Sequence, residues 1–134
     1  MFETKFINPS TLSKPGGYTH IVTIEGQGKL MYLSGQVALD ESGNVVGKGD
    51  FAAQARQVHK NIIAALKAVG ASVNDLIKIN TYIVNYKSEY RQQLREIRSE
   101  IFNRENPPAS TLVGVQALAL DDFMIEVEAV AVIR

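Results

Sequence analysis

The sequence contains no cysteine. That absence alone excludes disulfides, thiol catalysis, iron–sulfur clusters and cysteine-rich zinc sites, and it fits a reducing compartment. Neither sign of charge is in excess, because 14 Lys and Arg balance 14 Asp and Glu. Proteins that live on nucleic acid usually carry a basic surplus, since phosphate neutralisation supplies most of their non-specific affinity; nucleic acid is therefore a disfavoured partner. No apolar run approaches the roughly 20 residues needed to span a bilayer, and Met1 to Pro9 lacks the basic-then-apolar order of a signal peptide. The phosphate loops GxxxxGK(S/T) and GxGxxG and the nucleophile elbow GxSxG are also missing. A cytoplasmic protein without membrane attachment is expected.

What is present is one domain's worth of chain, 134 residues against roughly 100–200 per domain, read as a single domain over 1–134. A short extended piece, Lys5 to Asn8, leads into the loop Pro9 to Gly17. Two β-rich runs follow, His20 to Glu25 and Leu30 to Leu39. The turn Gly26–Gln27–Gly28–Lys29 between them predicts a hairpin. After the glycine-punctuated loop Ser42 to Gly49, Asp50 is a helix N-cap. Phe51, Ala55, Val58, Ile62, Leu66 and Val69 then recur at helical spacing up to Gly70. A β-branched strand spans Leu76 to Val84, and a second helix runs from about Lys87 to Phe102 with Tyr90, Leu94, Ile97 and Ile101 as its stripe. Two strands close the chain, Thr111 to Gln116 and Phe123 to Ile133. The order β-β-β-α-β-α-β-β predicts an α+β two-layer domain, about six strands in one mixed sheet with two long helices on one face.

Side chains alternate along a strand. Met31, Leu33, Val37 and Leu39 share one face, as do Ile77, Ile79 and Ile83, and Ile125, Val127, Ala129 and Ile133. These faces suit the helices. The opposite faces carry Tyr32, Ser34 and Gln36; Lys78, Asn80 and Tyr82; and Met124, Glu126, Glu128, Val130 and Val132. Two helices cover only one face, and a large exposed apolar patch marks an interaction surface. A homo-oligomer packed through the bare face is expected, its polar residues lining clefts between subunits.

Few residues point to chemistry. His20 and His59 have no HxH or HxxxH partner, so no metal site is expected; His59, beside Lys60, reads as solvent-facing. Arg91, Arg95 and Arg98 recur at i, i+4 and i+7 and read as a solvated face eased by Glu96 and Glu100, with an acidic partner or RNA as the sharper alternative. Glu126 and Glu128 stand in an otherwise apolar strand. Buried carboxylates are costly unless paired. They serve proton transfer or a salt bridge to Lys78 or an arginine, and spacing leaves both open.

Taken together, Gly17–Tyr18, Ser34–Gly35–Gln36, Ala53–Gln54–Ala55–Arg56–Gln57, Pro108–Ala109 and Ile125 to Ala131 make the chain resemble the reactive intermediate deaminase family (RidA, YjgF), whose members were also described as L-PSP endoribonucleases. The resemblance covers nearly the full length. It implies a chorismate-mutase-like fold and a homotrimer with a central barrel and three clefts between subunits. It also implies cofactor-independent hydrolysis of 2-imino or enamine acids to 2-keto acids and ammonia. The family's water-positioning glutamate falls on Glu126, its pocket tyrosine on Tyr18, its strand-end serine and glycine on Ser34 and Gly35, and the aromatic that opens the second helix on Tyr90. Two positions depart. The arginine that clamps the substrate carboxylate falls on Ser110, and an asparagine found in several deaminases falls on Leu94.

Ser110 can hydrogen-bond a ligand but cannot neutralise a carboxylate; Arg104 and Lys78 are the substitute cations in view. The expected protein is a deaminase of a small imine or enamine, with Glu126 catalytic and Tyr18, Ser34, Gly35, Tyr90 and Ser110 binding. The alternative is a non-catalytic, metabolite-binding trimer that modulates a pathway or partner. Ribonuclease activity is the least favoured reading.

Overall fold

The computed structural model describes residues 2–134. Its elements are β1 (Phe2–Ile7), β2 (Ile21–Gly26), β3 (Lys29–Gln36), α1 (Phe51–Ala68), β4 (Leu76–Val84), α2 (Ser88–Ser99), β5 (Ala109–Val115) and β6 (Ile125–Ile133), with a 3₁₀ turn, Val73–Asp75, before β4. The architecture is α+β, and the element order is the one read from the sequence. The six strands, however, divide between two sheets. Four form a mixed sheet in the order β3-β6-β4-β5, in which β4 and β5 run parallel; β1 and β2 form a separate antiparallel ribbon.

That division corrects the expected hairpin between β2 and β3. β2 pairs instead with β1, from Phe2 opposite Gly26 to Ile7 opposite Ile21. The intervening glycines explain the break. Gly26 has φ of +104°, in the region that glycine adopts without steric cost. Gly28 lies against the end of β6, where an added Cβ would come within 3.0 Å of the Ile133 carbonyl oxygen and of Val132. The chain thus bends over the end of the large sheet rather than folding back along it.

Helix α1 begins as expected: the Asp50 carboxylate accepts the Ala53 backbone N–H at 3.1 Å. It ends at Gly70, which has φ of +78°, the left-handed residue that commonly follows a helix. Val69, assigned to the buried stripe, is the C-cap and is 45% exposed. Beneath the helices, β6 alternates as read up to Val130, with Ile125, Val127 and Ala129 buried and Glu126, Glu128 and Val130 half-buried, as is Met124 just before the strand; at its end Ala131 is buried while Ile133, expected inward, is only half-buried. α1 packs on β3, β6 and α2.

β3 departs from simple alternation. Leu33 stands opposite Ala129 while Gln36 stands opposite Val127, so three steps on β3 match two on β6. This is a β-bulge, and it reverses the facing of all that follows. Ala38 is consequently buried, whereas Val37 and Leu39, expected inward, are only partly covered. On the far side of the sheet Tyr32 is 78% exposed. Val132, assigned to this bare face, is instead 5% exposed, because the chain at Gly28 lies over it. No helix among the described residues is long and apolar enough to cross a membrane.

Candidate functional site

A groove of about 490 Å3 opens between α2, β5 and the loop before β2. The loop is tied down at Thr19, which is buried. Its hydroxyl donates to the Pro107 carbonyl at 2.6 Å, and its N–H donates to the Pro108 carbonyl at 3.3 Å. These two bonds bring Tyr18 and Ser110, 92 positions apart in the chain, into one lining. Arg91, Arg95, Arg98 and Arg104 complete the polar wall, Leu94 and Phe102 supply apolar surface, and no Asp or Glu lines the groove.

On α2, Arg91 and Arg95 are exposed, as a solvated face would have them, but Arg98 departs from that reading. Glu100, expected to ease the stripe, pairs instead with Arg56 of α1 at 3.3 Å. Arg98 keeps some solvent exposure, but its guanidinium reaches inward: Nε donates to His59 Nε2 at 3.2 Å, and Nη2 donates to Thr81 Oγ1 at 2.5 Å. Burial pulls its pKa down to about 10, so it is still charged at neutral pH. Its ion-pair partner is not a carboxylate among the described residues.

His59, read as solvent-facing, is 1% exposed. Nδ1 lies 2.7 Å from the Ala55 carbonyl oxygen. Nδ1 therefore carries the proton, and Nε2 is free to accept from Arg98. Burial, and next the charge of Arg98, hold its pKa down to about 4. A neutral histidine thus orients a buried arginine toward the groove. The sequence held the signal. Position 59 falls on the stripe Ala55, Val58, His59, Ile62, at helical i, i+3, i+4, i+7 spacing, so position outweighs residue type.

Glu126 lies elsewhere. It stands opposite Tyr82, whereas Ser110 stands opposite Ile79. Ile79 is buried under the helices and Tyr82 is on the bare face, so Ser110 and Glu126 look out from opposite sides of one sheet. The Glu126 carboxylate rests directly over Gly35, in the β3 bulge: a Cβ there would sit 2.7 Å from Glu126 Cδ. Glycine at 35 is what lets the carboxylate occupy that place.

Glu128, its neighbour on the same face, accepts from Asn80 Nδ2 at 3.1 Å and from the Tyr82 hydroxyl at 2.5 Å. That bond raises the Tyr82 pKa above the usual phenol value. Lys78, the expected salt-bridge partner, turns to Thr111 Oγ1 at 3.0 Å. Neither glutamate pairs with a cation among the described residues. Ser34 lines a second hollow of about 360 Å3 with Tyr32, Lys78 and Glu128. Tyr90 joins neither hollow; its ring stacks on Phe51 at 4.2 Å. One chain therefore brings Tyr18 and Ser110 together on the helix side and Ser34, Gly35 and Glu126 on the other.

Fold and sequence agree with known proteins. The family model described as Endoribonuclease L-PSP matches residues 10–133. A RutC family protein of Pyrococcus horikoshii is 36% identical over 104 residues, 78% of this chain and 79% of that protein. A 2-iminobutanoate/2-iminopropanoate deaminase of Dermatophagoides farinae is 30% identical over 119 residues, 89% of this chain and 88% of that protein. A solved structure from Yersinia pestis, described as a protein of unknown function of the conserved Rid family, superposes with a TM-score of 0.86 at 34% identity, covering 96% and 97% of the two chains. A two-helix α+β protein with small-molecule-sized hollows on both sides of its sheet is the class defined so far. Within that class, the chain belongs to the RidA/YjgF (L-PSP) family.

Proposed function

We propose that the protein is a homotrimer that hydrolyses a small imine or enamine to a carbonyl compound and ammonia without a cofactor. The observation that carries this reading is the Glu126 carboxylate, held over Gly35 on an uncovered sheet face while a cationic groove opens on the opposite side. Packing the bare face of one copy against the groove side of the next joins the two halves. Such a contact is head-to-tail, and it closes into a ring when the rotation fits. The deaminase relative supports the chemistry.

In this site the substrate's anionic end lies among the groove arginines, with Ser110 as a neutral donor beside them and Tyr18 as a wall. Ser34 and the backbone at Gly35 contact the imine end. Glu126 accepts a proton from a water as its oxygen bonds to the imine carbon. The carbon–nitrogen double bond becomes single, and the proton passes to nitrogen. Collapse of this carbinolamine breaks the carbon–nitrogen bond, releasing ammonia and leaving the carbonyl.

The test is hydrolysis of freshly generated 2-iminobutyrate by the wild type and by Glu126→Gln, Gly35→Ala and Ser110→Arg. Wild-type turnover of at least one imine or enamine is expected, and Ser110→Arg, which restores the carboxylate clamp, should raise the rate on 2-iminobutyrate above that of the wild type. Loss of the general base should lower kcat by about 10²–10⁴-fold, and Gly35→Ala, which displaces the carboxylate, by up to about a hundredfold. A wild type inert toward a panel of imines and enamines, yet stabilised thermally by a small metabolite, would favour the non-catalytic binding reading, for which Ser110 in the arginine's place argues.

A further inference from the structure

The arginine that family members place after the Pro–Ala pair is Ser110 here, yet the groove at Ser110 is not short of positive charge. Arg91, Arg95 and Arg98 reach it from successive turns of α2, and Arg104 from the segment that follows. One clamping cation suits one carboxylate; four cations with no acid in the lining exceed what a monoanion can balance. One of them is positioned by specific contacts. Arg98 spends Nε on His59 and one Nη2 hydrogen on Thr81, which leaves the rest of its five-donor fork for the groove it lines. Arg95 lies against Gly16, where an added Cβ would be 3.2 Å from Nη2. Glu100, which directly follows α2, is held by Arg56.

We infer that this groove takes a small molecule bearing at least two negative charges, a phosphate monoester or a dicarboxylate, rather than a simple monocarboxylic imino acid. Guanidinium groups bind both chemistries through paired N–H donors. A volume of about 490 Å3 is that of a small-metabolite site. A chain of zero net charge carries no overall basic excess of the kind that nucleic-acid-binding domains usually show. The inference rests on reading the groove as the substrate end of the proposed deaminase site, and it names the substrate class.

The experiment uses the whole protein and ligands that cannot react. Glycerol 3-phosphate, 2-oxoglutarate, 2-oxobutyrate and oligouridylates of increasing length are titrated by calorimetry into the wild type, Arg95→Gln and Arg104→Gln, each variant checked for wild-type Tm. At least one dianion should bind about tenfold or more tighter than 2-oxobutyrate, and each substitution should weaken that binding about tenfold, the worth of one charged hydrogen bond. The two dianion arms distinguish phosphate from dicarboxylate. Equal affinity for the monoanion, affinity unmoved by both substitutions, or affinity that climbs with oligouridylate length would overturn the inference. Because no turnover is involved, dianion binding without imine hydrolysis fails only the catalytic reading, and hydrolysis without dianion preference fails only this one.

Discussion

At the level of single residues, the buried pair His59–Arg98 is the feature whose consequences are most readily measured. The His59 pKa falls from 6.5 in the unfolded chain to about 4 in the fold. The unfolded chain therefore binds the proton more readily between those values. Stability is full above about pH 6.5 and is lost as pH falls toward 4, with a ceiling of about 3 kcal/mol at 1.36 kcal/mol per pKa unit. His59→Gln keeps a neutral acceptor for the Arg98 Nε–H but has nothing to titrate. Urea midpoints at pH 7 and pH 4.5 should fall further for the wild type than for the variant; equal falls would mean that His59 is not the buried neutral acceptor described. The sequence hides the pair because histidine and arginine are polar residue types, although both lie close to apolar stripes. What no spacing could show is that they meet across two helices.

At the level of elements, most boundaries were legible, because apolar periodicity, the Asp50 cap and Gly70 are local signals. The errors came from non-local causes. The β3 bulge reverses strand facing from Gln36 onward, and nothing in Leu33–Ser34–Gly35–Gln36 alone shows that Glu126, 91 positions after Gly35, needs the space. Likewise, Gly26 and Gly28 read as a hairpin turn until the end of β6 is seen beneath them. Gln54 illustrates the same point in a helix. It is fully buried and pins the approach to β6, accepting the Met124 N–H at 2.8 Å and donating to the Asp122 carbonyl at 2.8 Å and the Gly47 carbonyl at 3.2 Å. Gln54→Leu strands those backbone groups, at about 1–3 kcal/mol for each one left unsatisfied. It should therefore destabilise more than Asp50→Ala, which removes one cap worth about 1 kcal/mol. Chemical denaturation of the two variants ranks them, and the reverse order would mean that Gln54 merely fills space.

At the level of the whole molecule, one chain holds the two proposed half-sites on opposite faces of its sheet. Val130, half-buried on the bare face, should break the proposed trimer when replaced by Glu while leaving the fold intact, as read by light scattering and far-UV circular dichroism. The joining of the halves is tested most directly by subunit complementation. Glu126→Gln and Arg95→Gln, each expected to be impaired in imine hydrolysis, are unfolded together and refolded as a mixture. If each site takes its glutamate from one copy and its groove from the next, random assembly leaves about one site in four with both halves intact, and the mixture should regain about a quarter of wild-type activity. A mixture no more active than the average of its two parents would contradict the composite site.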